Sequence, residues 1–333
     1  MTTPTRRWLT GLCLLAGLAC TGTAQAEPDC PPVAGAPSPD ALAAAARTAS
    51  DRGPLWRIER DGRSSWLYGT IHVGRLAWAF PGPNVSAALR RAQVLALELD
   101  LTSPEVQQQI AKAGAQLQAA QGPLVLPAPT ARRLARQIAL ACLDAARIAN
   151  PVANPLANQS PVMQAVTLML LSARRDDLDP AYAQEFVLAG FMHASGKPVV
   201  SLETAAAQMA ALAGGSLHDQ LALVEQSLDQ LDSGQGRAVL HRLALAWERA
   251  DLAALASYED WCECARDDAE RAFSKRLNDD RNPGLADAIA RLHDGGQSVF
   301  AAVGALHMTG PQALPALLQA RGFKVEAVRW ARP

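Results

Sequence analysis

Two short segments of this chain share one local design. Gly69-Thr70-Ile71-His72-Val73-Gly74 and Gly304-Ala305-Leu306-His307-Met308-Thr309-Gly310 each follow an apolar, strand-like run with Gly-x-x-His and then a further glycine. Glycine at a strand's end lets the backbone turn or approach a ligand closely, and the histidine then projects from the loop beyond. Two other apolar runs end at carboxylates: Val94 to Leu97 leads to Glu98, and Pro198 to Leu202 leads to Glu203. In open α/β sheets ligands sit outside the carboxyl ends of strands, so four strand tips offer His72, Glu98, Glu203 and His307 to one place. Two imidazoles and a carboxylate are a usual protein shell for a catalytic divalent ion, with a further position for water. Such an ion brings the pKa of water toward neutrality and polarises a carbonyl. His72, His307 and Glu98 then read as ligands, with Glu98 alternatively a general base, and Glu203 as the carboxylate that moves a proton.

Each residue also has a plainer reading. A lone histidine at a strand end is more often a satisfied structural residue, and Glu98 alone could be a helix-cap partner or half of a salt bridge. Arg281, just before a helix, could bind a substrate carboxylate, pair with Glu203, or form an ordinary surface ion pair. Asn282 reads as that helix's N-cap, with Pro283 at its first position. Asp100 supports the site or simply opens the next loop. His193 suits a helix C-terminus, and His218, His241 and His293 fall in helical patterns and read as surface residues. Several chemistries lack their signatures: no Gly-x-Ser-x-Gly elbow, P-loop, dinucleotide fingerprint or His-Glu-x-x-His helix is present.

The elements that must position these residues alternate at both ends of the chain. Leu55 to Ile58 and Ser65 to Tyr68 form a hairpin around Asp61-Gly62. A short helix over Val85 to Ala92 precedes the strand ending at Glu98. Ser103-Pro104-Glu105 starts a helical middle that contains further helices near Thr130, Pro161 to Arg175 and Ala181 to Ala194. One strand, Pro198 to Leu202, interrupts it. From Thr204 to about Asp280 the pattern is helical again, with breaks at Gly214-Gly215 and at the Gly234/Gly236 pair. Helix Pro283 to His293, strand Ser298 to Val303, helix Pro311 to Ala320 and strand Phe323 to Val328 close the chain. This predicts an α/β fold: a mostly parallel or mixed central sheet flanked by helices, with a large helical middle segment forming a cap or lobe.

The chain has 333 residues, 49% apolar and 19% charged, which indicates a globular protein with a sizeable core. Its 31 Lys and Arg against 32 Asp and Glu give no basic surface for nucleic acid. Arg6-Arg7, the apolar run Leu9 to Cys20 and Ala24-Gln25-Ala26 read as a signal peptide over 1–26, cleaved after Ala26. A periplasmic or secreted location follows, with no transmembrane segment in the mature chain. Cys20 offers a lipoprotein alternative, but Gly17-Leu18-Ala19 is a poor lipidation signal. The organisation expected is a loose lead-in over 27–54 and one domain over 55–333 with a helical insert at about 103–280. Of the six cysteines, Cys30, Cys142, Cys262 and Cys264 remain after cleavage. They read as structural, and an oxidising compartment allows one or two disulfides. Cys262 and Cys264 are close in sequence, so one of them joined to Cys30 or Cys142 is the expected pairing.

Ordered motifs add a family resemblance. Leu55-Trp56-Arg57-Ile58 with Trp66 to His72, then Leu95 to Asp100, Ser201-Leu202-Glu203-Thr204 with Gln208, Arg281-Asn282, Val303 to Gly310 and Gly322-Phe323-Lys324-Val325 resemble, in order, the TraB/GumN family. The resemblance runs from about Leu55 to the C-terminus. That family includes the TIKI proteins, which resemble metal-dependent proteases, and their two Gly-x-x-His motifs match His72 and His307, while a family glutamate matches Glu98. Wider relatives include erythromycin esterase-like and haem-binding ChaN-like proteins. Met308 and Thr309 depart from the longer apolar residue common after the second histidine, which touches the loop rather than the ligand. The resemblance implies an α/β core and an exported metal-dependent hydrolase of peptidase type, using zinc, manganese or cobalt on a peptide or small-molecule substrate. The rival expectation is a non-catalytic envelope protein that binds haem, a metal or a peptide on the same scaffold. A third is an interaction protein whose helical middle docks a partner.

Overall fold

The computed structural model describes residues 30–144, 156 and 158–330. The expected signal peptide, with Cys20, lies outside the described residues. Six strands form one mixed sheet: β1 (Leu55–Arg60), β2 (Arg63–Thr70), β3 (Val94–Leu97), β4 (Val199–Ser201), β5 (Val299–Gly304) and β6 (Lys324–Ala327), in spatial order β4-β3-β5-β2-β1-β6. β1 and β2 pair antiparallel across the Asp61-Gly62 turn, where both residues take a positive φ, and β6 adds antiparallel to β1. By contrast β2, β5, β3 and β4 run parallel, so their C-terminal ends share one edge. β3 and β5 are buried along their whole length, and such strands read as continuous apolar runs because both sheet faces are covered.

Side chains alternate between two cores, as a pleated strand requires. Trp66, Tyr68, Leu95, Leu97, Phe300 and Ala302 join one, while Leu67, Val94, Ala96, Val299, Ala301 and Val303 join the other. The N-terminal helix α1 (Pro39–Arg47) and α2 (Pro83–Arg91) precede β3; Val85, Ala88 and Leu89 of α2 pack on the first core. Beyond β3 come α3 (Pro104–Gln121), α4 (Ala128–Leu140), α5 (Pro161–Ser172) and α6 (Gln184–Ala194), with α6 adding Leu188, Ala189 and Met192 to that core. After β4 follow α7 (Ala205–Ala213), α8 (Leu217–Ser233), α9 (Gln235–Glu248), α10 (Leu252–Ala256), α11 (Tyr258–Trp261) and α12 (Asp268–Leu277). Helices α4, α5 and α8 bury a separate cluster around Leu134, Val162, Leu168, Val224 and Leu228, which makes a helical lobe with its own core. Finally α13 (Asn282–Asp294) and α14 (Leu314–Ala320) cover the second core with Leu285, Ile289, Leu314 and Leu318.

Some expectations change here. The lead-in holds α1, capped by Ser38, whose hydroxyl accepts from the Ala41 amide. Gly236 is not a break: it lies inside α9 against Met169, and Gly234 alone makes the turn with a positive φ. The cysteine pairing is also corrected. Cys30 bonds Cys142, and Cys262 bonds Cys264. Glu263 between the latter two takes a φ of 53°, which turns the backbone enough to bring their Cα atoms to 5.1 Å. Both bonds agree with an oxidising compartment. Among the described residues no helix is long and apolar enough to cross a membrane. His293 is not on the surface but sealed, with Nδ1 at 2.9 Å from the Ser65 hydroxyl and Nε2 at 3.0 Å from the Arg60 carbonyl.

Candidate functional site

The shared edge of the parallel strands brings the expected residues together. His72 stands two residues beyond β2, Glu98 immediately after β3, Glu203 two residues beyond β4, and His307 in a 3₁₀ turn, Ala305–Met308, that follows β5. Gly304, the last residue of β5, marks the meeting point. A Cβ placed there would lie 3.3 Å from Glu98 Oε1, 3.5 Å from His307 Cδ2 and 3.8 Å from His72 Nε2. Gly69 serves a different purpose than expected. It lies within β2, where a Cβ would meet Pro54 Cγ at 2.7 Å, so its role is close packing rather than approach to a ligand.

His307 is buried and its tautomer follows from its neighbour. Asn282 donates both amide hydrogens, to the carbonyls of His307 (3.2 Å) and Gln312 (2.8 Å). Its Oδ1 is therefore left to accept from His307 Nδ1–H at 2.5 Å. The Nε2 lone pair then faces the site, where Arg281 Nη1 donates to it at 3.2 Å. Burial first, then the nearby Arg281 and His72, push His307 down to about 4, against the pull of Glu98. Asn282 is thus not the helix cap that its place before Pro283 suggested; it is the first residue of α13, and its side chain orients an imidazole.

The other imidazole is held from its far side too. His72 Nδ1 donates to Glu185 Oε1 at 3.0 Å, and the Thr70 hydroxyl donates to the same oxygen. The Glu185 carboxylate raises His72 to about 9, while burial opposes it and Glu98 adds to it. Because the His72 side chain is 57% exposed, water screens part of that pull. Glu185 was invisible to the pattern reading. It lies in the first turn of α6, in a helical stretch without a motif, and only the fold sets it behind His72.

Glu98 accepts from the Gly304 amide at 2.8 Å through Oε1 and from Arg281 Nη2 through Oε2. Burial alone would raise its pKa, but His307, Arg281, His72 and the Gly304 amide outweigh it and hold Glu98 well below the usual carboxylate range. Arg281 also grips Glu203, with Nε at 3.2 Å from Oε2 and Nη2 bonded to Oε1. This two-pronged contact suits a planar guanidinium, and burial leaves Glu203 raised. Arg281 is therefore a buried bridge between two carboxylates, not a surface partner. Asp100 caps its own turn by accepting from the amide and hydroxyl of Thr102. His193 is exposed and meets the Thr102 hydroxyl at 3.0 Å, whereas His218 lies on the surface and His241 stands beside Asp176 at 3.7 Å.

The donor chemistry fits a divalent cation. His72 Nε2, the His307 ring edge and a Glu98 oxygen border one point at Gly304, and each imidazole has its Nδ1 tied to a side-chain acceptor, the arrangement that fixes metal-binding histidines. The spacing is not that of a closed shell: His307 Nε2 is 4.0 Å from Glu98 Oε1, and among the described residues no group of three or more His, Cys, Asp or Glu stands close enough to hold an ion. Arg281 accounts for this, since its guanidinium takes the cationic place between Glu98 and His307. A family model described as TraB/PrgY/gumN matches residues 54–327. No curated protein and no solved structure gives a match.

Proposed function

The chain belongs to the TraB/PrgY/gumN family, and from that premise we propose that it is a metal-dependent hydrolase acting at the His72–His307–Glu98 edge of the sheet, of peptidase type. The observation that carries this reading is the convergence of His72 Nε2, the His307 ring edge and Glu98 Oε1 around Gly304. His72, His307 and Glu98 would hold the metal, which supplies Lewis acidity toward a carbonyl and acidifies water. Zinc, manganese and cobalt all suit two imidazoles and one carboxylate.

The chain's own residues divide the remaining work. With its Nδ1–H held by Asn282, His307 turns its Nε2 lone pair to the site, where a cation would take it over from Arg281 Nη1. Glu203, raised by burial and adjoining Glu98 through Arg281, is the carboxylate placed to accept and return a proton. Arg281 keeps a cation beside the reacting edge, where it can neutralise charge that develops on a substrate oxygen. Export through the signal peptide over 1–26 completes the proposal.

The test is hydrolysis of a peptide library by the purified chain, before and after chelation. Activity that disappears on chelation, returns with zinc, manganese or cobalt, and is absent from His307→Ala supports the reading. Activity indifferent to chelator contradicts it. The binding-protein alternative is separated by Glu98→Gln: loss of hydrolysis with peptide binding retained favours the enzyme.

A further inference from the structure

The His72 loop is clamped on both flanks. The Gln184 amide donates to the Ile71 carbonyl at 3.0 Å, and Gly74 exchanges two backbone bonds with Asp179, at 3.1 and 2.7 Å. This clamp seats the first turn of α6 directly behind the imidazole and brings Glu185 to His72 Nδ1. The Glu185 carboxylate is buried, and its use is lopsided: Oε1 accepts from both Thr70 and His72, whereas Oε2 is buried without a hydrogen-bond partner. A buried acid kept for structure alone satisfies both oxygens, as Asp51 does by accepting from Val85 at Oδ1 and from Asn84 at Oδ2. A neutral amide would also suffice to hold a ring, as Asn282 does for His307.

We infer that Glu185 is the positioning residue of the His72 arm, a buried carboxylate that fixes the ring with Nδ1 turned inward and Nε2 presented to a divalent cation at Gly304. The inference rests on the metal reading proposed above. Nδ1 and Nε2 point to opposite sides of an imidazole, so anchoring one aims the other. His72 needs this more than His307, because its side chain is 57% exposed against 5% for His307 and packing leaves it freer to turn. The two arms differ in kind: His307 is oriented by a neutral amide and by burial, His72 by a charged acid. An acid behind a metal-binding imidazole strengthens the ring as a donor, and such partners are worth about 10–100-fold in metal affinity.

The experiment measures zinc, manganese and cobalt affinity, by competition with a chromophoric chelator, for the wild type, Glu185→Ala, Glu185→Gln, His72→Ala and His307→Ala. Far-UV circular dichroism and melting serve as controls of fold. The expected result is binding about 10–100-fold weaker in Glu185→Ala, with Glu185→Gln between it and the wild type, because its amide oxygen still accepts from Nδ1–H but lacks the charge that strengthens the ring as a donor. If Glu185→Ala does not fold, Glu185→Asp replaces it, since its carboxylate stops one methylene short of the ring. Wild-type affinity in Glu185→Ala, with His72→Ala weakened, overturns the inference and leaves the metal site standing. Absence of binding in every form removes the metal site, and the role of Glu185 with it.

Discussion

Asn282 illustrates how much of this site turns on single hydrogen bonds. Its two N–H groups are committed to carbonyls, so its oxygen dictates the His307 tautomer. Asn282→Ala frees that ring and removes the donor to the buried His307 carbonyl. We expect metal affinity to fall about 10–100-fold and unfolding free energy to fall by about 1–3 kcal/mol; chelator competition and urea denaturation would read the two effects, and unaltered values would contradict the assignment. Arg281 is the sharper case. Its side chain and those of Glu98 and Glu203 are each about 10% exposed. In chelator-treated protein, Arg281→Met strands two acids, and removal of one member of such a buried group costs about 3–5 kcal/mol. Added metal should recover part of that loss, because the proposed ion would restore a positive charge beside one of the two acids, Glu98. An unchanged denaturation midpoint without metal would refute it. At this scale the histidines and Glu98 were legible because glycines and strand ends mark them. Glu185 and the true task of Asn282 were not, since a helical pattern says which face is buried but not which distant side chain lies behind it.

The elements explain why the site holds its shape, and how it should respond to acid. Four parallel strands end on one edge, and each contributes one group from just beyond its tip. That much followed from apolar runs ending at Glu98, Glu203 and the two Gly-x-x-His units; β3 matches its expected bounds at both ends. Less legible were features set by long-range packing, such as α1 in the lead-in, Gly236 inside α9, and the Cys262–Cys264 bond, which needs the unusual backbone of Glu263. The helical lobe is tied across α4 and α8 by Arg133, which bonds Asp229 and Asp232, and by Gln137, which donates to Asp232. Burial alone would raise Asp232, but Arg133 and Gln137 bring it below its ordinary value. The folded chain therefore holds this proton less tightly than the unfolded chain. The stability it contributes is present above a pH of about 4, the unfolded value, and is lost as pH falls through the depressed folded value. Arg133→Ala should cost under about 1 kcal/mol at neutral pH and flatten the acid limb of the stability curve. Urea denaturation between neutral and acidic pH checks this, and an acid limb as steep as the wild type's would count against it.

Across the whole molecule, sequence-distant parts are drawn to one sheet. The hairpin near the start and the last strand pair with each other, while β5 lies between β2 and β3, so both ends of the chain must be in place before His72 and His307 meet. The Cys30–Cys142 bond spans 112 residues and fixes the segment before α1 to the end of α4. Cys142→Ser should lower stability by about 2–4 kcal/mol without altering metal content, because neither cysteine is a hydrogen-bond or ion-pair partner of His72, His307 or Glu98; denaturation with and without reductant measures it, and equal stability would contradict this. The alternation of strands and helices made the α/β class readable, and the ordered motifs made the family readable. The strand order was not, because periodicity identifies a strand but carries no record of its neighbour. The most direct test of the account is elemental analysis of bound metal in the purified wild type, His72→Ala and His307→Ala, each confirmed as folded. About one divalent ion per wild-type chain is expected for a single His/His/Glu shell, with a marked loss in each variant. Undiminished metal in both variants, or no metal in any form after exposure to zinc, manganese and cobalt, would contradict it.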